Sequence, residues 1–301
     1  MTEAADEEEG SAVAASDHIG DICEGLLDTL EAVAAESGNR LTGLGTGFRD
    51  LDYLTRGLEP GSLTVIASRP AMGRTTFLSD ICRHNAIKNG IPTLVFTLEE
   101  NRHSFTRRVA AAEARIAIHH MRAGTMTEDD WKRLARRMPD VTAAPLYIRD
   151  TPRADMRLIQ LEAAEMIDKR DVRLVAIDGV QDIRPEKRSD LREREVGDVV
   201  RDLKTMAREL NIPVIVTSHL NRAPESRPDR VPRLDDLRES GAITFASDTL
   251  IMLHREDAYV QDSPRAGEAD LIVAKHRHGP AANVLVAFQG HYGRFVDFAL
   301  T

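Results

Sequence analysis

The sequence predicts an α/β fold in which helices cover both faces of a mostly parallel sheet. Seven short apolar runs have the length and composition of buried strands, and helical patterns separate the earlier runs. Apolar strands that alternate with helices are typical of parallel sheets. The last three runs have no long helix between them, which predicts an antiparallel extension at one edge. The expected strands are residues 63–68, 93–98, 174–178, 213–218, 249–254, 269–274 and 283–288.

The N-terminal 40 residues differ in composition from the rest of the chain. Residues 1–16 are acidic and poor in apolar side chains, which is typical of a disordered tail. Residues 17–36 carry apolar residues at helical spacing and predict an amphipathic helix, docked either on its own domain or on a neighbouring subunit. We therefore expect a tail over 1–16, a linker helix over 17–38 and one α/β domain over 39–301.

Charge and composition limit the possible classes of function. Eleven acids and one base lie in residues 1–40, so the remaining 261 residues are close to neutral although the whole chain carries −9. Local basic patches in that remainder can bind nucleic acid, but aromatic residues make up only 4%, so contacts to backbone phosphates are favoured over base stacking. No apolar run is long enough to span a membrane, no secretory signal is present, and two distant cysteines fit a reduced, cytoplasmic protein.

A phosphate-binding loop is predicted between the first strand and the next helix. Backbone N–H groups in such a loop, together with a helix N-terminus, bind phosphates. Gly73 allows close approach of the backbone, and the Thr75 hydroxyl can bind Mg²⁺. Arg74 stands where a lysine is expected and Ser68 where the first glycine is expected. The expected nucleotide-binding residues are Ser68, Arg69, Pro70, Ala71, Met72, Gly73, Arg74, Thr75 and Thr76.

Two carboxylates follow other predicted strands. Asp178 ends the run LVAID, a position suited to hold Mg²⁺ beside a nucleotide. Glu99 follows TLVFTL and could orient or deprotonate an attacking water. Each alone would be an ordinary acid at a strand end, but together with the loop they favour a nucleotide-binding enzyme.

Several motifs in order resemble the C-terminal motor domain of the DnaB family of replicative DNA helicases. They run from GFRDLDYLTRGLEPGSLTVIASRPAMGRTTF through TLEEN, VAIDGVQDI and ELNIPVIVTSHLNR to DLRESGAITFASD and AKHRHGP. The resemblance covers about residues 40–299 and implies a RecA-like fold. The family's N-terminal domain, which engages primase, has no counterpart in it. Residues 17–36 fall where the family has a linker helix that packs on the adjacent subunit.

The resemblance also implies roles for individual residues. ATP and Mg²⁺ are the implied cofactors, with Glu99 as the catalytic glutamate and Asp178 on the Mg²⁺ side. His219 occupies the place of a glutamine that senses the γ-phosphate. Lys275 and Arg277 match a pair that reaches the neighbour's nucleotide as an arginine finger.

Partners follow from the same resemblance. The family's central-channel loops correspond to Arg222 and to the segment that contains Arg238, Glu239 and Gly241, which would bind single-stranded DNA. A ring oligomer, expected to be a hexamer, would form through residues 17–36 and the Lys275–Arg277 pair. A helicase loader or replisome proteins are further expected partners, and a membrane is not.

Departures from the family pattern leave alternatives open. Arg74 replaces a lysine, His219 an amide, Gly179 a tyrosine and His278 an asparagine. Arginine is a planar fork and lysine a compact charge, so the first exchange is not conservative in a phosphate site. The leading hypothesis is an ATP-driven helicase motor. The alternatives are a scaffold or regulatory ring subunit that binds ATP and DNA with little hydrolysis, and a RecA-like recombination or repair accessory protein.

Overall fold

The computed structural model describes residues 41–152, 154–185, 189–237 and 240–298, together with residues 18–20, 23, 25, 27 and 31. The chain divides into two units, Met1–Arg40 and Leu41–Thr301. In the first unit the described residues from 19 to 31 are helical and exposed. The predicted acidic tail and most of the predicted linker helix lie outside the described residues. The second unit contains the sheet.

One nine-stranded sheet forms the centre of the second unit, in the order β3-β2-β4-β5-β1-β6-β7-β8-β9. The six strands from β3 to β6 in that order pair in parallel, and β7, β8 and β9 continue the sheet in antiparallel pairs. The predicted fold class is confirmed. The strands are Leu63–Ser68, Thr93–Thr97, Leu146–Arg149, Leu174–Asp178, Val214–His219, Thr249–His254, Glu268–His276, Ala282–Gln289 and Arg294–Val296, numbered β1 to β9.

Helices cover both faces of this sheet because side chains alternate along each strand. Val65 of β1 packs in an apolar cluster with Val200 and Met206, whereas its neighbour Ile66 packs on the other face with Phe77 and Ile81. The helices are Arg49–Thr55, Arg74–Arg83, Arg102–Ala114, Ile118–Ala123, Glu128–Ala143, Met156–Arg170, Arg192–Glu209 and Ser240–Ala246, numbered α1 to α8. A π-helical turn, His84–Lys88, continues α2.

Some elements differ from the sequence prediction. The short strands β3 and β9 and the short helices α1, α4 and α8 are additional, since each has too few residues for a clear periodic pattern. Helix α5 continues past Pro139, where the prediction ended it. Proline removes one backbone donor, and the carbonyl freed on Ala135 lies on an exposed residue that water can solvate.

None of the described helices is long and apolar enough to cross a bilayer.

Asp248 joins three elements at the edge of the sheet where β1 begins. Its Oδ2 accepts hydrogen bonds from the Leu63 backbone N–H at 2.8 Å and from Lys204 Nζ of α7 at 2.6 Å. Its own N–H donates to the Leu63 carbonyl at 2.9 Å. Burial opposes ionisation of Asp248, but the hydrogen bonds from Lys204 and the Leu63 N–H outweigh it and lower the pKa. The carboxylate therefore stabilises the folded state at neutral pH.

Asp248→Asn should destabilise the protein by about 3 kcal/mol, because Lys204 loses its anionic partner in a buried pair. The pKa of Asp248 is lowered by folding, so its contribution is present above the ordinary aspartate pKa and is lost as pH falls through the lower, folded value. Urea unfolding at several pH values measures both effects. The matched control is Asp198→Asn, which removes an exposed pair with Arg201 and should cost less than about 1 kcal/mol. Equal losses in the two variants would contradict this account of Asp248.

Candidate functional site

The predicted phosphate loop lies between β1 and α2, as the sequence indicated. Ser68 ends β1 and Arg74 begins α2, whose N-terminus carries backbone N–H groups without helical partners. Gly73 has φ 101°, and a Cβ at this position would lie 2.8 Å from Cζ of Phe295. Only glycine fits this backbone conformation and this approach. The loop can therefore present its N–H groups to an anion.

Arg74 is buried at the start of α2 and is hydrogen-bonded on several sides. Its Nη2 donates to Oε1 of Glu99, and its Nη1 donates to the Ser218 carbonyl at 3.0 Å. Nη1 and Nη2 also lie 2.9 and 3.1 Å from Nδ1 and Nε2 of His219. Nε of Arg74 is buried with no hydrogen-bond partner among the described residues. The cation is thus directed at a carboxylate and an imidazole.

Glu99 is held in its ionised form by this cluster. Nε2 of His219 lies 3.2 Å from Oε1 of Glu99. The hydrogen bond from His219 lowers the pKa of Glu99, and the Arg74 guanidinium lowers it further against the opposing effect of partial burial. A carboxylate ionised at neutral pH can accept a proton from water, provided that Arg74 leaves one of its oxygens accessible.

Asp178 lies at the end of β4 and is fully buried. Its Oδ1 accepts a hydrogen bond from the Thr217 hydroxyl at 2.7 Å, whereas its Oδ2 is buried without a partner among the described residues. Burial raises the pKa of Asp178, and hydrogen bonding from Thr217 and Thr75 acts in the opposite direction. A buried carboxylate oxygen beside a hydroxyl is a donor set suited to Mg²⁺. These residues fit the metal that the loop predicted.

Gly179 explains one departure from the family pattern. Its φ is 104°, and a Cβ would lie 2.6 Å from Oδ2 of Asp182 and 3.1 Å from Cγ of Glu99. Any side chain here would displace Glu99 from its contacts with Arg74 and His219. The sequence identified the exchange as a departure and could not show that the space beside Glu99 requires it.

Lys275 and Arg277 lie at the opposite edge of the sheet from the loop. Lys275 pairs with Leu250 near the start of β6, because β7 runs antiparallel to β6. Its Nζ donates to the carbonyls of Thr244 and Ser247 at the end of α8. Arg277 Nη1 donates to Oδ1 of Asp248 at 3.0 Å, although more than half of the side chain is exposed. Within one chain, the structure does not bring these cations to Arg74.

The residues predicted to bind DNA are placed only in part. Arg222 is exposed at the start of the turn Ala223–Ser226, which follows β5. Gly241 is exposed at the start of α8, and a Cβ there would meet only open space. Arg238 and Glu239 lie outside the described residues.

Arg69 connects the loop to the segment that carries Arg222. Its Nη1 donates to the Leu220 carbonyl at 2.9 Å, and its Nε donates to Oε1 of Glu225 at 2.9 Å. Arg222 lies between these two partners in the chain. A change in the loop can therefore be transmitted to the exposed arginine. Sequence reasoning assigned Arg69 only to the loop, because its partners are about 150 positions away.

A guanidinium stacked on an aromatic ring beside the loop was missed by sequence reasoning. Cζ of Arg255 lies 3.7 Å from the ring centroid of Phe288, and Arg255 Nη1 donates to the Ala71 carbonyl at 3.4 Å. The pair forms a flat surface next to the phosphate loop, of the kind on which a purine base can stack. Neither residue belongs to a local motif, so no sequence signal indicated the pair.

Comparison with known proteins agrees with this geometry. The profile of the family described as "DnaB-like helicase C terminal domain" matches residues 43–297. The chain belongs to this family. The replicative DNA helicase DnaB of Leifsonia xyli subsp. xyli (strain CTCB07) is 45% identical over 273 residues, which are 91% of this chain and 60% of that helicase. The replicative DNA helicase DnaB of Mycobacterium leprae (strain TN) is 46% identical over 220 residues, 73% of this chain and 36% of that one.

Solved structures of DnaB-like proteins share the fold. The isolated ATPase domain of one such helicase superposes with a TM-score of 0.87 at 31% identity, over 92% of this chain and 99% of that domain. A DnaB-like replicative helicase, described with its interactions with primase, gives a TM-score of 0.85 at 29% identity, over 96% of this chain and 69% of that one. This DnaB-like chain therefore corresponds to the ATPase domain. It spans 60% or less of the length of the two DnaB relatives named above.

Asp178→Asn should raise the free energy of unfolding by about 1–3 kcal/mol at pH 8 without Mg²⁺, because it removes a buried charge whose Oδ2 has no partner. Asparagine retains an oxygen to accept from Thr217. The pKa of Asp178 is raised by folding, so the wild-type carboxyl becomes more unfavourable as pH rises above the ordinary aspartate value, and the gain should shrink below about pH 4.

Mg²⁺ with nucleotide should stabilise wild type and not Asp178→Asn, as measured by thermal unfolding. Asp182→Asn, the matched control at a neighbouring carboxyl, should keep the Mg²⁺ response. A wild-type response to Mg²⁺ that persists undiminished in Asp178→Asn would remove Asp178 from the metal site.

Proposed function

We propose that this chain is the ATP-hydrolysing motor of a DnaB-like DNA helicase, which translocates on single-stranded DNA as a ring oligomer. The observation that carries the proposal is the convergence of Arg74, Glu99, Asp178 and His219 at the carboxyl ends of β1, β2, β4 and β5, directly beside a glycine-bearing loop. Ligands of parallel α/β sheets bind at these strand ends. The family membership and the shared ATPase-domain fold support the same function.

Nucleotide binding is assigned to the loop from Ser68 to Thr76. The backbone N–H groups at the start of α2 receive the phosphates, and the Arg255–Phe288 surface receives the base. Thr75 and Asp178 hold Mg²⁺, which neutralises phosphate charge when bound. Without the ion, the buried Asp178 carboxyl keeps one oxygen unpaired.

Hydrolysis requires Arg74 to exchange partners. The γ-phosphate of a bound ATP is a second anionic acceptor for the guanidinium, in competition with Glu99. Release of Glu99 leaves an ionised carboxylate that takes a proton from the attacking water. The water oxygen bonds to the γ-phosphorus as the bond to the ADP oxygen breaks. His219 contacts both Arg74 and Glu99, so it is suited to couple the phosphate to the base.

The neighbouring subunit completes the site. Lys275 and Arg277 lie at the sheet edge remote from their own loop, so they can act on a nucleotide only if they belong to the adjacent chain. An arrangement with one pair per interface predicts a closed ring, for which we propose a hexamer held also by residues 17–36. The corresponding division of the chain is a tail over 1–16, a linker helix over 17–38 and a RecA-like domain over 39–301.

DNA binding is assigned to Arg222 and to the segment with Arg238, Glu239 and Gly241. A guanidinium and backbone amides bind phosphates without reading bases, in keeping with the low aromatic content. The Arg69 contacts to Leu220 and Glu225 connect this segment to the phosphate loop. We place the activity in cytoplasmic DNA replication, with a helicase loader and replisome proteins as partners.

A second candidate function is an ATP- and DNA-binding ring subunit with little turnover. It is favoured by the Arg74 network itself, since the guanidinium is buried and already bound to Glu99. ATPase activity distinguishes the two. A wild-type chain that binds nucleotide and DNA but shows no DNA-stimulated hydrolysis at any protein concentration would establish the second function and reject the motor.

Arg74→Lys should raise the DNA-stimulated ATPase rate about tenfold, equivalent to ~1.4 kcal/mol of barrier, because a lysine releases Glu99 and follows the phosphoryl group more readily. Arg277→Ala should reduce the rate by about 10³ or more while nucleotide binding is retained, as expected for a cation supplied in trans. Steady-state ATPase assays with single-stranded DNA measure both, and Arg201→Ala is the exposed control. A lower rate in Arg74→Lys would mean that the site depends on arginine.

Arg222→Ala should weaken binding of single-stranded DNA to a similar extent for all base compositions. Loss of one phosphate contact should reduce the slope of log affinity against log salt by about one ion. Fluorescence anisotropy of oligo(dT) and of a mixed-sequence strand at several salt concentrations measures the slope. Arg170→Ala, an exposed arginine at the end of α6, should leave it unchanged. A loss limited to one base composition would point to base recognition and against this assignment.

A further inference from the structure

A basic cavity lies at the far end of α2 from the phosphate loop. Its volume is 590 Å³, within the range of small-molecule sites. Arg74 and Arg83 are the first and last residues of α2, so about 14 Å of helix separates the loop from this cavity. The lining comes from residues 46–48 and from α2, its π-turn, α3, α5 and β9. No residue from 68 to 76 contributes.

Cations outnumber acids in the wall of this cavity. Arg83 is hydrogen-bonded to Asp80 and Glu113, and Arg137 also donates to Glu113 at 2.6 Å. Arg133 pairs with the acids that precede it on α5. The acids of the wall are Asp80, Glu113 and Asp297, and the cations are Arg83, Lys88, Arg115, Arg133, Arg136, Arg137 and Arg294.

Four of these cations, Lys88, Arg115, Arg136 and Arg294, have no carboxylate partner among the described residues. Arg294 donates only to the neutral Oε1 of Gln289, at 2.7 Å. Burial lowers the pKa of Arg294, and repulsion from Arg115 and Arg83 lowers it further. These guanidiniums are therefore close enough to repel one another. A second unsatisfied group is Nδ1 of His84, which lines the cavity and is buried without a partner among the residues described.

We propose that this cavity is a binding site for an oligophosphate anion, separate from the nucleotide site of the motor. The unpaired cations require several negative charges within a small volume, and a chain of two or three phosphates supplies them. Guanidinium groups bind phosphate oxygens in bidentate pairs, which relieves the repulsion at Arg294. The phosphates can belong to inorganic tripolyphosphate or to a nucleotide. The proposal does not depend on hydrolysis at the motor site.

Calorimetric titration of the full chain with sodium tripolyphosphate tests this site. Arg115 and Arg136 are both exposed, so Arg115→Gln/Arg136→Gln should fold, which thermal unfolding verifies. The double variant should bind about tenfold more weakly or worse, because each lost charge-assisted contact is worth about a tenfold change in affinity. Lys132→Gln is the matched control, on the same helix as Arg136 but outside the cavity wall. It should bind as wild type does.

Arg74→Gln separates this site from the loop. One tripolyphosphate binding event should survive in Arg74→Gln and be weakened by the cavity substitutions. Binding that is lost in Arg74→Gln and unchanged in the double variant would overturn the proposal. A loss of oligo(dT) affinity in the double variant with unchanged tripolyphosphate binding would overturn it as well, since the cavity would then contact DNA. Titration with ATP and GTP identifies the source: equal affinity for all three assigns the phosphates alone, and tighter nucleotide binding assigns a nucleotide.

Discussion

The Arg74 guanidinium is buried where three strands end, and a buried cation is costly unless acceptors surround it. Glu99 after β2 and Ser218 and His219 on β5 supply those acceptors, while Gly179 after β4 leaves the space they need. One charge therefore fixes the positions of the base, the phosphate sensor and the residue beside the Mg²⁺ site. An exchange of lysine for arginine is accommodated by the whole strand-end cluster and not by the loop alone.

The two edges of the sheet divide the chemistry between subunits. The phosphate loop and the acids lie at the carboxyl ends of the parallel strands. Lys275 and Arg277 lie where β6 begins, and there Asp248 binds Arg277, Lys204 and the start of β1. Because β7 runs antiparallel, its last residues are carried away from the chain's own loop. The fold thus gives each chain one half of two different sites.

Charge follows the same separation. The strand-end site combines one buried cation with two acids and requires a metal and a polyphosphate to complete it. The basic cavity at the other end of α2 has surplus cations and, among the residues described, a buried histidine nitrogen without a partner. The helix between them is packed through Phe77 and Ile81 against the sheet, so the two sites belong to one rigid element.

Local patterns in the sequence were sufficient for the parallel sheet, for the loop at 68–76 and for the strand-end acids Glu99 and Asp178. Each depends on neighbours in the chain: apolar runs bury themselves, and a glycine before a helix forms a phosphate loop. Only the tertiary structure decided that Arg74 binds Glu99 and His219, that Gly179 is required by the space beside Glu99, and that Arg255 stacks on Phe288. The basic cavity likewise collects residues from positions 46 to 297. These contacts join residues from distant parts of the chain, and their distances are set by how strands and helices pack, which no local pattern records.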